Sequence, residues 1–328
     1  LGGALGLASL LIATSGWSAT EEPADTPRVD PAPVVAPKEA APPYLAPRYR
    51  ITYSNLIALR VNPIGLEDRV TIGFEERVWS GSSPLLRDTY VGLKLAPTFS
   101  PAVVRLGPQF ELKPLAVLAL RMGLFYKSWF GTFSQLAAFD TPTAAHSDSD
   151  MKALAKAGKT GAAHGAEFEA GALLQAKVGP IAVRSDFALF RAEANTPGKT
   201  VHYDVRLDMV VPNGGFSGTN DTDLIYVGDR LILGARASTI HAFYRDQDYL
   251  PGESHDNLNT PAVRVGPALG WRFFDHPGSA LDKPTVLLLT QWWLLHRYRT
   301  GQDVSQAMPY IALAFRIEGE IASWKPGN

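Results

Sequence analysis

The sequence predicts an all-β fold in which about twelve long antiparallel strands close up-and-down into a barrel. Three observations carry the prediction. Apolar and polar residues alternate over stretches of ten or more residues, turn chemistry separates the stretches, and a helical period would scatter the charges around the whole surface. The stretch 201–209, VHYDVRLDM, is the plainest case: Val201, Tyr203, Val205, Leu207 and Met209 share one face of an extended chain, and His202, Asp204, Arg206 and Asp208 share the other.

Composition agrees with this. In 328 residues the charged fraction is 19%, and 29 Gly and 25 Pro supply turns that a helical bundle would not tolerate. Lys+Arg 31 against Asp+Glu 32 gives a formal net charge of −1, so no nucleic-acid partner is expected, since such binders need a basic excess. Cys 0 excludes disulfides, thiolate metal sites and cysteine nucleophiles.

Residues 1–18 form an apolar run without charge and read as a signal peptide, with Gly16 and Ser18 small enough for cleavage near Ser18. A signal-anchor helix is the alternative, but Gly and Ser break the run short of the roughly 20 apolar residues a span needs. Residues 19–48, dense in Pro, Ala and acidic side chains, have no hydrophobic period and read as an extended periplasmic linker. Strands follow near 50–61, 67–79, 87–98, 102–113, 115–129, 165–178, 181–193, 200–211, 224–241, 261–274, 284–298 and 308–318. They define a barrel domain over 49–320 and leave 321–328 as a C-terminal tail. The repeated Gly-Pro steps in RLGP (105–108), KVGP (177–180) and RVGP (264–267) read as turn or bulge devices.

Strands in soluble sandwiches average five or six residues, whereas these run ten to fifteen. A transmembrane strand tilted by about 45° needs roughly 9 to 11, and twelve strands of that length resemble the bacterial outer-membrane β-barrel class. That resemblance implies a porin-like protein in the outer membrane, among membrane lipid and lipopolysaccharide, inserted by barrel-assembly machinery. It also implies one end with short turns and one with long loops, which the two longest connections, 130–164 and 242–260, satisfy by falling on the same side. Trp79, Trp129, Trp271, Trp292, Trp293 and Trp324 fit an interfacial girdle. The last strand, MPYIALAFRIEGE, resembles the closing strand of the class, although the chain runs on to SWKPGN.

If the apolar parity faces lipid, the other lines the lumen. Its expected basic members are Arg60, Arg69, Arg77, Lys94, Arg105, Arg121, Arg184, Arg206, Arg236, Arg264, Arg272, Arg297 and Arg316, with Lys113, Lys127, Lys177, Arg230 and Arg299. The acidic members are Glu75, Glu111, Glu167, Glu169, Asp186, Asp204, Asp208 and Glu318. Such charges either pair into a network that fills the barrel or leave a positive interior favouring small anionic solutes, as Arg and Lys rings do in anion pores. A filled structural barrel that anchors partners is the competing reading.

Within 130–164, Ser147 or Ser149 is placed to cap a short helix through Met151–Ala157, ended by Gly158. This segment either folds inward to narrow a pore or stays a surface loop, the commoner outcome. A third reading is an outer-membrane hydrolase with a His-centred site. Of the His 7, His202 with Asp204 is the nearest to a base and its orienting partner, while His241 and His296 fall on the lipid parity. No His-x-Ser-Asn-Gly motif of the barrel phospholipases is present. The piece GTNDTD (218–223) reads as a turn, and neither ligand spacing for a metal nor a Gly-rich phosphate loop points to a cofactor.

Overall fold

The computed structural model describes residues 46–79, 83–131 and 136–324. The expectations for 1–18 and for most of 19–48 lie outside the described residues. The strands are β1 (Tyr49–Val61), β2 (Gly65–Arg77), β3 (Tyr90–Leu95), β4 (Thr98–Phe99), β5 (Val103–Leu106), β6 (Pro108–Leu115), β7 (Leu118–Trp129), β8 (Ala138–Phe139), β9 (Ala163–Val178), β10 (Ile181–Ala194), β11 (Val201–Asp204), β12 (Met209–Pro212), β13 (Phe216–Val227), β14 (Leu231–Phe243), β15 (Ala262–Arg272), β16 (Asp282–Leu295) and β17 (Tyr310–Trp324).

Twelve positions form the wall, with β3 and β4 sharing the third place and β5 and β6 the fourth; β8, β11 and β12 form a separate three-stranded sheet. All wall pairings are antiparallel. The last strand returns to the first, from Tyr49↔Trp324 to Val61↔Ile311, so the sheet closes and no long edge is left to template pairing with another chain. The unbroken wall strands run from 11 residues in β15 to 16 in β9, enough to cross a bilayer when tilted.

One end, here the terminal end, carries the start of β1 and the connections 78–89, 116–117, 179–180, 228–230 and 273–281. The loop end carries 62–64, 100–102, 130–162, 195–215, 244–261 and 296–309. In the two-residue terminal-end turn Gly179–Pro180, Gly179 takes φ +57, a left-handed conformation that a Cβ would strain. In 130–162, Ser147 caps α1 (Asp148–Lys156) through a reciprocal bond pair with Asp150, and Gly158 follows at φ +65.

Two strand assignments are corrected, and the strand count survives because the errors cancel. The stretch 200–211 is not a wall strand: it folds on itself as the β11–β12 hairpin, with all eight strand residues buried. The stretch 224–241 is not one strand but parts of two, β13 and β14, which turn at 228–230. Alternation misled because the hairpin also has two unlike faces. Tyr203 and Val205 pack with Met151 and Leu154 of α1, whereas Asp204 and Arg206 meet Lys127 and Glu167 of the charged wall; past the turn, Leu207, Met209 and Val211 pack on Ile240, Ala242, Ala262 and Trp293. GTNDTD likewise is no turn; it lies within β13. The final strand reaches Trp324, past the expected tail boundary at 321.

The outward parity is mostly apolar. Leu59, Leu66, Ile72, Leu93, Met122, Leu124, Leu224, Leu233, Leu269 and Leu313 are exposed around the wall. Aromatic residues mark both rims: Tyr49, Phe74 and Trp324 stack together at the terminal end, where Tyr226 and Trp271 are also exposed on β13 and β15, and exposed Phe99, Tyr126, Phe216, Phe243 and Trp292 ring the loop end. Trp129 and Trp293 depart from the expected girdle. They point inward, 1% and 0% exposed, where the hairpin covers them.

Candidate functional site

The inward parity holds a charged lumen, roofed at the loop end by the hairpin. One chain of ion pairs runs down the wall formed by β5, β7, β9 and β10. Lys127 Nζ lies 2.8 Å from both Glu167 and Asp204, Arg105 bridges Glu167 (2.9 Å) and Glu169, and Arg121 links Glu169 (3.0 Å) to Asp186 (2.7 Å), which also takes Arg184. Arg206, on the hairpin turn, reaches Glu167 at 3.1 Å. A second cluster joins Arg50, Lys94 and Lys113 to Glu75, Glu111 and Asp88. A third pairs Arg236 with Asp221 and Asp223.

Of the remaining expected lumenal cations, Arg230 is corrected, since it lies exposed in the 228–230 turn and not on a wall strand, and Lys177 is exposed at the terminal end of β9. Arg69 pairs with Glu67, Arg272 with Asp275 and Arg316 with Glu318. Arg60 donates to the carbonyls of Val205 and Arg206, tying the hairpin to β1, and Arg77 donates to Ala46 O. Arg297 belongs to the 296–309 loop and donates to Thr143 O and Asn259 Oδ1. Arg264 donates to Gln291 Oε1 at 2.9 Å and sits against the rings of Trp293 and Tyr310, at 5.0 and 4.1 Å, without a carboxylate among the described residues. Sequence parity missed the counter-charges Glu67, Asp88, Asp221 and Asp223. The last two were hidden because their strand was read as a turn, and Glu67 and Asp88 because they sit at strand ends.

The hairpin turn is latched by a separate cluster. Asp208 accepts from Tyr203 Oη (2.6 Å) and Arg299 Nε (2.9 Å), and Arg299 also holds Asp148 of α1 at 2.9 Å. His296 Nε2 meets Asp208 O at 3.0 Å. His296 is therefore buried against the hairpin, beyond the end of β16, and not on the lipid face. Burial would raise the Asp208 carboxyl, but His296 and Arg299 hold it down at about 2. His146, tucked under Tyr298, is pushed by burial to about 4.

His202 and Asp204 do not form a base and orienter. His202 is 0% exposed, lies edge-on to Trp129, and its two ring nitrogens have no hydrogen-bond partner in the described structure. Burial pushes its imidazole down to about 4. Asp204 is already committed to Lys127 Nζ and to the backbone N–H groups of Arg206 and Leu207.

Below the hairpin a cavity of about 330 Å³ remains. It is lined by Arg69, Arg105, Arg121, Arg206 and Arg264 on the basic side and by Glu169, Asp186 and Asp221 on the acidic side.

The closed ring, its apolar outward parity and the aromatic rims at both ends together decide the class, because only lipid stabilises such an exterior. This is a transmembrane β-barrel of the outer-membrane type. No family model and no curated protein matches the chain. Among solved structures, the NanC porin is similar at 8% identity over 82% of this chain and 100% of that one, with a TM-score of 0.37. The translocator domain of the autotransporter NalP from Neisseria meningitidis is similar at 12% identity over 82% and 87%, with a TM-score of 0.38. LpxR from Salmonella typhimurium is similar at 9% identity over 82% and 99%, with a TM-score of 0.34. These likenesses add nothing about solute or activity; the outer-membrane barrel rests on this chain's own closure and exterior.

Proposed function

We propose that the chain is an exported, porin-like barrel whose lumen binds and passes small anionic solutes and is roofed by the β11–β12 hairpin. In this reading the terminal end faces the periplasm with the N-terminal linker, the loop end faces outward among lipopolysaccharide, and the assembly machinery recognises β17. The carrying observation is Arg264: its guanidinium lines the cavity and is held by an amide and two aromatic rings, so it keeps a full charge to offer an anion. The other cavity arginines are spoken for by carboxylates, which makes Arg264 the point of selectivity.

The test is the reversal potential of the purified barrel in planar bilayers under a salt gradient. Anion preference, reduced in Arg264→Gln, supports the reading; cation preference overturns it. The burial of both hairpin strands favours a second reading, a filled structural barrel. Replacing 200–213 by a short Gly-Ser linker separates the two. Steady single-channel steps from the intact barrel support a roofed pore, and steps that appear only once the hairpin is replaced support the filled barrel.

A further inference from the structure

The outward face carries a polar patch where lipid should meet only hydrocarbon. On β13 the outward residues run Phe216, Gly218, Asn220, Thr222, Leu224 and Tyr226, so Asn220 and Thr222 sit between the two aromatic rims. Register places Ser185 of β10 beside Thr222, and Thr239 of β14 beside Asn220. Ser185 Oγ donates to Asn220 Oδ1 at 2.9 Å. Thr222 Oγ1 donates to Ser185 Oγ and Thr239 Oγ1 to Asn220 O, each at a long 3.5 Å, both threonines are exposed, and the Asn220 Nδ2 group has no partner among the described residues. An amide with its donors left over, beside threonine hydroxyls held only by long bonds, is costly against hydrocarbon, whereas against another protein surface these groups gain bonds across the contact. Ala235 and Ala237 of β14 lie beside them on the same face, low enough for a second sheet to approach.

We infer that this patch is the interface between two copies of the chain, packed back to back about a two-fold axis along β13. Amide and hydroxyl groups each donate and accept, so the patch is complementary to itself, which a two-fold contact requires. The partner is a second copy rather than a lipid headgroup, because the patch lies mid-strand, away from the depth at which headgroups sit.

The absence of native cysteine, Cys 0, makes the test direct. Thr222→Cys and Thr239→Cys, oxidised in the membrane, should each yield a disulfide-linked dimer as the major species on non-reducing gels. Ile72→Cys, equally lipid-facing at 45% exposure but on β2, six places around the ring, should not. Cross-linking no greater than that of the Ile72→Cys control overturns the inference. As a second measurement on a variant whose new side chains suit lipid, Asn220→Leu with Thr222→Leu should lower the light-scattering mass in detergent from two chains to one. A wild-type mass of one chain, or of three, overturns the two-fold interface.

Discussion

Lys127 and Glu167 show what single residues contribute to the barrel. Their side chains are 3% and 0% exposed and bind each other at 2.8 Å, with Asp204 and Arg206 completing the set. Removing one member leaves an uncompensated buried charge, so Lys127→Met should destabilise the fold by about 3–5 kcal/mol. Glu167→Gln should do the same, and the double variant should cost less than the sum; additive losses in urea unfolding would contradict a coupled network. The histidines give a pH dependence. His202 and His146 titrate at about 4 in the folded chain against 6.5 unfolded, so below 6.5 the unfolded state binds more protons. Stability is then full above pH 6.5, falls as the pH drops toward 4, and levels off below that from this source. His202→Phe should flatten part of the slope, as followed by Trp fluorescence, with Trp129 beside the ring; an unchanged slope would remove His202 as a source. The lumenal position of most basic residues was legible in the sequence from parity alone. Their pairing was not, because partners such as Asp223 for Arg236 come from a strand that parity had missed.

At the scale of elements, the hairpin separates a legible fold from an illegible one. Long wall strands declare themselves because every second residue meets lipid, a demand that the whole strand shares. A four-residue strand buried on both faces makes no such demand, and 201–209 alternates only because α1 packs on one side and the charged wall on the other. Sequence alternation reports two unlike surroundings, not which of them is lipid. The latch of Asp208 with Arg299 and His296 fixes the hairpin to the 296–309 loop. Arg299→Met should therefore loosen the hairpin while leaving the wall intact. Protease cleavage within 195–215 should rise severalfold, with unchanged far-ultraviolet circular dichroism; equal protection in variant and wild type would contradict the latch.

For the whole molecule, the near-neutral net charge of −1 conceals a partition that only the closed ring makes physical. Closing the sheet sorts alternate residues into an apolar exterior and a charged interior, and places the cavity beneath the hairpin. Everything proposed for solutes or for a second copy depends on that closure. The measurement that tests it most directly is a disulfide across the seam. Leu59 of β1 and Leu313 of β17 are direct register partners on the lipid face, at the cross-strand spacing a disulfide accepts. In membranes oxidised before solubilisation, Leu59→Cys with Leu313→Cys should form an intramolecular bond that joins the first and last strands, retained after proteolysis of the loops and lost on reduction. A folded, membrane-inserted protein whose two cysteines stay free under the same oxidation would contradict the closed barrel.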